Sequence, residues 1–384
     1  MIDYETTKFL LSDDGAKLIA DAKATSGTFL QRVTTLRKKY SPPKANAALE
    51  LLDLRKRAEK KFSHASEMFF TKEALEQSSG EVISSYRAKR FPTDCRALDI
   101  GCGIGGDTIS LARRCFVTAI DNDPMRIAMA QRNLEIYGLA DRVDLVCADV
   151  ADVPLEADAA FIDPSRRVNG RRTVDLSEIS PSVEFIRRLI EAVPNCGVKL
   201  SPMMADSDLA SLGGGLEFLE ESGECKEADV WFGKFAPGAK QATILPQEAT
   251  ICDRGAAFAK VRKPGAYLYE PNACVIRAHL VDQLAAEIGA WRMDAEIAYL
   301  SADKWIETPF ADGYKILVGL PFNLKELKTR LRKMGAGHII VKKRGVPFEP
   351  REVEKYLSAP SGPETILILT KTWGASWAFI CDLL

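Results

Sequence analysis

Nowhere in the 384-residue chain do two cysteines stand at C-x-x-C spacing, although there are nine of them, and the three histidines, His64, His279 and His338, lie far apart. That excludes the local ligand spacing of a structural zinc site and offers no paired-cysteine framework, so a reduced protein with no metal is expected. The sequence also lacks an apolar run as long as a membrane span, and Met1-Ile2-Asp3-Tyr4-Glu5 has neither the basic nor the apolar region of a signal peptide. A cytoplasmic protein with no membrane partner is expected. An excess of one charge is missing too, the formal net charge being −1. With 46% hydrophobic and 27% charged residues the chain is globular in composition, not disordered, and its length allows two or three domains.

What the sequence does have is glycine where a strand ends. Ala97, Leu98 and Ile100 form a short apolar strand that runs into Gly101, Gly103, Gly105 and Gly106, and a helix is expected over Thr108 to Arg114. Glycines at such a turn permit positive φ and bring backbone N–H groups close to a ligand. The spacing satisfies the dinucleotide pattern, so on the glycines alone NAD and S-adenosylmethionine remain equally open. A second strand, Cys115 to Ile120, ends in Asp121, twenty residues after Gly101, where a carboxylate accepts from ribose hydroxyls. The chain then continues as Asn122-Asp123-Pro124-Met125 and a helix carrying Ile127, Ala130 and Asn133. A third strand from Val143 leads to Asp149, suited to an adenine amino group, and a fourth, Ala159 to Ile162, leads to Asp163-Pro164-Ser165-Arg166. Three carboxylates at successive strand ends lie on the edge where open α/β sheets bind ligands.

This succession resembles the class I S-adenosylmethionine-dependent methyltransferases over roughly residues 68 to 245. Together with Phe69-Phe70-Thr71, the glycine loop and Ile120-Asp121-Asn122-Asp123-Pro124 are similar to the trimethylguanosine synthase group of RNA methyltransferases. The resemblance implies a Rossmann-like parallel sheet closed by an antiparallel hairpin, with Thr71 helping to close the cofactor pocket. The residues expected at the S-adenosylmethionine cofactor are Thr71, Asp99, Gly101, Cys102, Gly103, Gly105, Asp107, Asp121, Asn122, Asp149 and Val150. A fifth strand is expected at Gly197 to Leu200. Glu227 to Phe232 and Gln241 to Leu245 then read as the arms of a long hairpin around Gly233 to Gly238. A dehydrogenase would instead continue with further βα units.

Charge and periodicity divide the chain. Residues 1–85 read as a helical N-terminal region broken at Ser41-Pro42-Pro43, 86–253 as the methyltransferase domain, 254–320 as a connecting α/β region and 321–384 as a compact α+β domain. Ile340-Val341-Lys342-Lys343-Arg344-Gly345-Val346 in the last segment resembles the THUMP-like domain of a group of bacterial methyltransferases, and true THUMP domains bind RNA. Between Arg32 and Lys61 ten Lys or Arg face three acids, and between Pro321 and Lys355 ten face four, local balances of +7 and +6. Basic ends around a more acidic middle point to RNA as the partner.

Methyl transfer asks mainly for positioning and exclusion of water. In amine-methylating relatives an Asp or Asn, two prolines and an aromatic follow the fourth strand. Asp163 and Pro164 match and are the expected catalytic pair, whereas the second proline and the aromatic are missing. Ser165, the cluster Arg166, Arg167, Arg171 and Arg172, and the tail residues Lys342, Lys343 and Arg344 are the expected substrate contacts. Trp231, Phe232 and Phe235 fit either base stacking or sheet packing. The expected activity is methylation of RNA at a base, an exocyclic amine included. A small-molecule or protein methyltransferase and a non-catalytic RNA adaptor that binds S-adenosylmethionine stay open beside it.

Overall fold

A computed structural model describes residues 4–165, 167, 168, 171–372 and 374–384. The N-terminal region is helical, as its apolar spacing requires: α1 (Tyr4–Leu10), α2 (Asp13–Ala24), α3 (Phe29–Leu36), α4 (Pro42–Ala58), α5 (Lys72–Gln77) and α6 (Glu81–Ala88). The Ser41-Pro42-Pro43 break is the start of α4, with prolines in its first turn, where their missing N–H groups cost nothing. Thr71 caps α5, its hydroxyl accepting from Ala74 N at 3.1 Å.

The central part alternates strand and helix: β1 (Arg96–Ile100), α7 (Gly106–Ala112), β2 (Phe116–Asp121), α8 (Pro124–Ile136), β3 (Val143–Cys147), β4 (Ala159–Ile162), the short strands β5 (Arg167–Val168) and β6 (Arg171–Arg172), α9 (Val183–Ala192), β7 (Cys196–Leu200) and α10 (Asp206–Ser211). After it come β8 (Gly215–Glu221), β9 (Glu224–Trp231), β10 (Gln241–Leu245) and β11 (Ala249–Cys252). Strands β7, β4, β1, β2 and β3 are parallel neighbours in that order, and β9 runs antiparallel beside β7. This is the parallel sheet with an antiparallel strand that the sequence suggested.

The hairpin itself differs from expectation. β9 turns back on β8 through Ser222 and Gly223, both at positive φ, while β10 pairs parallel with β8 and antiparallel with β11. Glu227–Trp231 and Gln241–Leu245 are thus not each other's partners. The strand that was missed, Gly215-Leu216-Glu217-Phe218-Leu219-Glu220-Glu221, carries three acids in seven residues and lacks the alternation of a half-buried strand, yet Glu217 and Glu220 are buried.

The remaining elements are β12 (Tyr267–Pro271), α11 (Ala273–Arg277), α12 (Val281–Glu287), β13 (Trp291–Arg292), β14 (Leu300–Ala302), β15 (Ala311–Pro321), α13 (Leu324–Lys333), β16 (Ile339–Arg344), α14 (Pro350–Leu357), β17 (Thr365–Thr372) and β18 (Ala375–Leu383). They form a seven-stranded sheet ordered β13-β14-β12-β15-β18-β17-β16, in which β16 and β17 are parallel. Side chains alternate across it: Leu367, Leu369, Ala378 and Ile380 join one apolar cluster with α13 and α14, and Ile366, Ile368, Phe379 and Cys381 join another. The chain divides into two compact units, Met1–Leu216 with Glu227–Gly238, and Glu217–Lys226 with Ala239–Leu384. No helix among the described residues is long and apolar enough to cross a membrane.

Candidate active site

The glycine loop leaves β1 with Gly101, Gly103 and Gly105 all at positive φ. At Gly101 a Cβ would stand 2.7 Å from the Asp163 carbonyl oxygen, so only glycine lets the loop lie against the end of β4. Gly103, at φ +56°, faces open space, and its N–H donates to Asp121 Oδ2 at 2.9 Å. Asp121 Oδ1 accepts from Asp123 N at 3.0 Å. Each oxygen of that buried carboxylate keeps acceptor capacity beyond its single backbone bond, as a ribose contact requires. The open backbone at Gly103 and the spare acceptors at Asp121 fit an adenosine-bearing cofactor.

Other expected cofactor residues divide by exposure. Asn122 and Asp149 are exposed at their strand ends, Asp149 also capping the turn through Ala151 N at 2.9 Å, and Val150 is buried behind it. Cys102 is buried, and burial pushes its thiol well above the ordinary range. Asp99 points into the protein and accepts from Thr108 Oγ1 at 2.5 Å, tying β1 to α7. Burial, reinforced by Asp107, pushes its carboxyl up to about 8. Thr71 stands on a segment that Asn133 stitches to the loop: its amide bridges Phe69 N at 2.8 Å, Phe69 O at 3.2 Å and Ile104 O at 3.0 Å.

Beside the glycine loop lies a buried charge cluster that sequence reasoning missed. Lys199 of β7 donates to Asp163 Oδ2 at 2.5 Å and to Ser79 Oγ at 3.2 Å. Arg87 of α6 also donates to Ser79 Oγ, at 2.6 Å, and pairs with Asp107 and Glu227, with Asp229 at 3.8 Å and the Phe161 ring 4.6 Å away. The β7–β9 register sets Lys199 opposite Asp229. Burial works against the Lys199 charge, but Asp163, Glu227 and Asp107 outweigh it and hold the ammonium above its usual range. Burial likewise raises Glu227, against the pull of Arg87. The signal was present in the sequence as a lysine inside the otherwise apolar Cys196-Gly197-Val198-Lys199-Leu200 and acids at alternate positions 227 and 229.

Asp163 is the cluster's most accessible member, its side chain 24% exposed against 7% for Lys199. Pro164 is buried and Ser165 exposed, the latter bridged to Ser180 through the backbone. Arg166 lies outside the described residues. Arg167, Arg171 and Arg172 sit on the β5–β6 ladder, which is described by its backbone only. Base stacking by the hairpin aromatics does not hold. Trp231, Phe232 and Phe235 are buried, with Trp231 packed on Phe161 and Phe235 and filling the space above Gly197.

The tail cations are not free either. Lys342 donates to Glu270 Oε2 at 2.7 Å and lies 3.3 Å from Asp312, Arg344 is 3.6 Å from Glu270, and Lys343 is 4.0 Å from Glu349.

An uncharacterised S-adenosylmethionine-dependent methyltransferase of Mycobacterium tuberculosis is 31% identical over 327 residues, covering 82% of this chain and 89% of that protein. The chain belongs to the S-adenosylmethionine-dependent methyltransferases. The enzyme's cofactor is accordingly S-adenosylmethionine. A family model described as RNA cap guanine-N2 methyltransferase matches residues 95–190, one described as THUMP domain-like matches 311–383, and a domain of unknown function matches 3–58. The trimethylguanosine synthase of Schizosaccharomyces pombe is 48% identical over 56 residues, 14% of this chain and 23% of that protein. A methyltransferase candidate from Porphyromonas gingivalis W83 shares the fold, with a TM-score of 0.79 at 21% identity over 96% of this chain and 98% of that one.

Proposed function

We propose that this methyltransferase acts on RNA, in the cytoplasm. The observation that carries the reading is the match of the RNA cap guanine-N2 methyltransferase model to residues 95–190, the stretch holding the glycine loop, Asp121, Asp149 and Asp163. The THUMP domain-like match at 311–383 supports it from a separate part of the chain.

In this reading Gly101, Gly103 and Gly105 give the cofactor a close backbone approach and Asp121 accepts from its ribose hydroxyls. Asp149, Asn122, Val150, Cys102 and Thr71 border it. Asp99 and Asp107 act from beneath, the first by tying the loop to α7 and the second by anchoring Arg87. S-adenosylmethionine supplies an electrophilic methyl group. Asp163 holds the acceptor and takes its proton, with Pro164 fixing the turn, while Ser165 and the β5–β6 arginines meet the substrate.

Incubation with methyl-labelled S-adenosylmethionine and total RNA from cells in which the gene is deleted tests this. Ribonuclease-sensitive label is expected; label found only in small molecules or protein would overturn the RNA assignment.

A further inference from the structure

We propose that the acceptor atom is a hydroxyl oxygen rather than a base nitrogen, and in RNA the ribose 2′-hydroxyl, because Asp163 enters the acceptor site already joined to the buried ammonium of Lys199. This rests on the RNA reading above and narrows it.

The pair at 2.5 Å suits an amine poorly. An exocyclic amine is held by donating to acceptors, and it gains positive charge as it is methylated. At Asp163 it would compete with an ammonium for the same carboxylate and develop its charge beside a fixed cation. A hydroxyl has the opposite needs. It is a weak nucleophile until its proton is drawn off, and a neighbouring cation stabilises the negative charge that then builds on oxygen. Asp163 supplies the acceptor for the proton. Lys199 has three N–H donors, of which Asp163 and Ser79 take two, leaving one for the acceptor oxygen.

The hydroxyl oxygen forms the new C–O bond as the methyl–sulfur bond breaks. The sulfur keeps that bond's electron pair and becomes a neutral thioether, and the hydroxyl proton passes to the Asp163 carboxylate. Lys199 stays protonated throughout, as expected of an ammonium surrounded by Asp163, Glu227 and Asp107.

Two further observations agree. Asp163-Pro164 is followed by Ser165 and not by an aromatic that would clamp a base, and Trp231, Phe232 and Phe235 are buried in the sheet packing. A ribose oxygen needs no such clamp. In an RNA chain the 2′-hydroxyl is the one sugar hydroxyl left free at every internal nucleotide.

RNA labelled as above, then hydrolysed in alkali, separates the outcomes, since a 2′-O-methyl group blocks cleavage at its own nucleotide. Label in alkali-stable dinucleotides is expected. Label in mononucleotides would overturn the oxygen assignment while leaving RNA as substrate; no label in RNA would overturn the RNA reading and the ribose with it. Lys199→Met should lower kcat about 100-fold, the lower end for losing one donor to a developing negative oxygen. Its KM for S-adenosylmethionine and its calorimetric affinity for S-adenosylhomocysteine should stay within about twofold, the signature of an interaction made only in the transition state. Lys199→Arg should recover part of kcat. Wild-type kcat in Lys199→Met would remove Lys199 from the mechanism, and the alkali test on the wild-type enzyme stands even if that variant misfolds.

Discussion

Two clusters in this molecule pair lysine and arginine with carboxylates, and their environments set what each can do. Around Asp163 the cations Arg87 and Lys199 are buried against Asp107, Asp163, Glu227 and Asp229. On β16 the cations Lys342, Lys343 and Arg344 are about one-third exposed, against Glu270, Asp312 and Glu349. Removing one partner from a buried pair strands the other without water, whereas an exposed pair is loosened by solvent and salt. The first cluster therefore holds a fixed geometry that suits chemistry. In the second, Lys343 beside the exposed Glu349 can exchange its carboxylate for another anion, such as a phosphate, at modest cost.

The largest expected effect comes from breaking the buried cluster at its centre. Arg87→Met leaves Asp107 and Glu227 without their guanidinium and should destabilise the protein by about 3–5 kcal/mol, measured by urea unfolding. A loss below about 1 kcal/mol, typical of exposed pairs, would erase the contrast between the clusters. Asp163→Asn comes next. It keeps the shape but cannot take a proton, so turnover should fall about 100-fold while S-adenosylhomocysteine affinity holds within about twofold. Equal loss of affinity and turnover would place Asp163 with the cofactor.

A third test asks whether the loop beside the cluster is the cofactor site. Asp121→Ala should weaken S-adenosylhomocysteine by about 1.5–3 kcal/mol, the range for a hydrogen bond to a charged group. Gly103→Val should cost a further 1–3 kcal/mol or about that, from forcing a β-branched residue to φ +56°. Calorimetry on both variants checks it, and unchanged affinity would refute the assignment.

The two clusters also differ in how far the sequence announced them. The glycine loop, the strand-end acids and the elements from α13 to β18 were legible because their signals are local: glycine spacing, apolar period, proline at a helix start. Asp163 at the end of β4 falls in this class. The Arg87 cluster was not legible, since Arg87 and Glu227 are 140 positions apart and meet only through the fold. β8 escaped for a related reason: Glu217 is buried because Gln241 and Thr243 donate to it at 2.7 and 2.9 Å, partners the local pattern does not reveal. The basic run at 342–344 misled in the other direction. Expected to meet the substrate, its Lys342 and Arg344 are paired with Glu270, some seventy residues earlier, and its Lys343 lies beside Glu349.

The smallest expected effect sharpens that last point. If all three tail cations met phosphates of single-stranded RNA, replacing them would flatten the slope of log K against log salt by about 0.7 each, roughly two units in total. The ion pairs predict a smaller and uneven change. Lys342 and Arg344 share Glu270, which is largely buried, and also lie near the Tyr314 and Tyr299 rings, so moving either to a phosphate would leave that carboxylate short of partners. Lys343 is 4.0 Å from an exposed Glu349 and gives up little by turning to RNA. Lys343→Ala alone should therefore flatten the slope by about 0.7, and the Lys342→Ala, Arg344→Ala double variant by well under one unit. Filter binding across a salt series measures both. A full two-unit change shared evenly among the three would mean that RNA displaces Glu270 after all, and that the strand binds as three free charges.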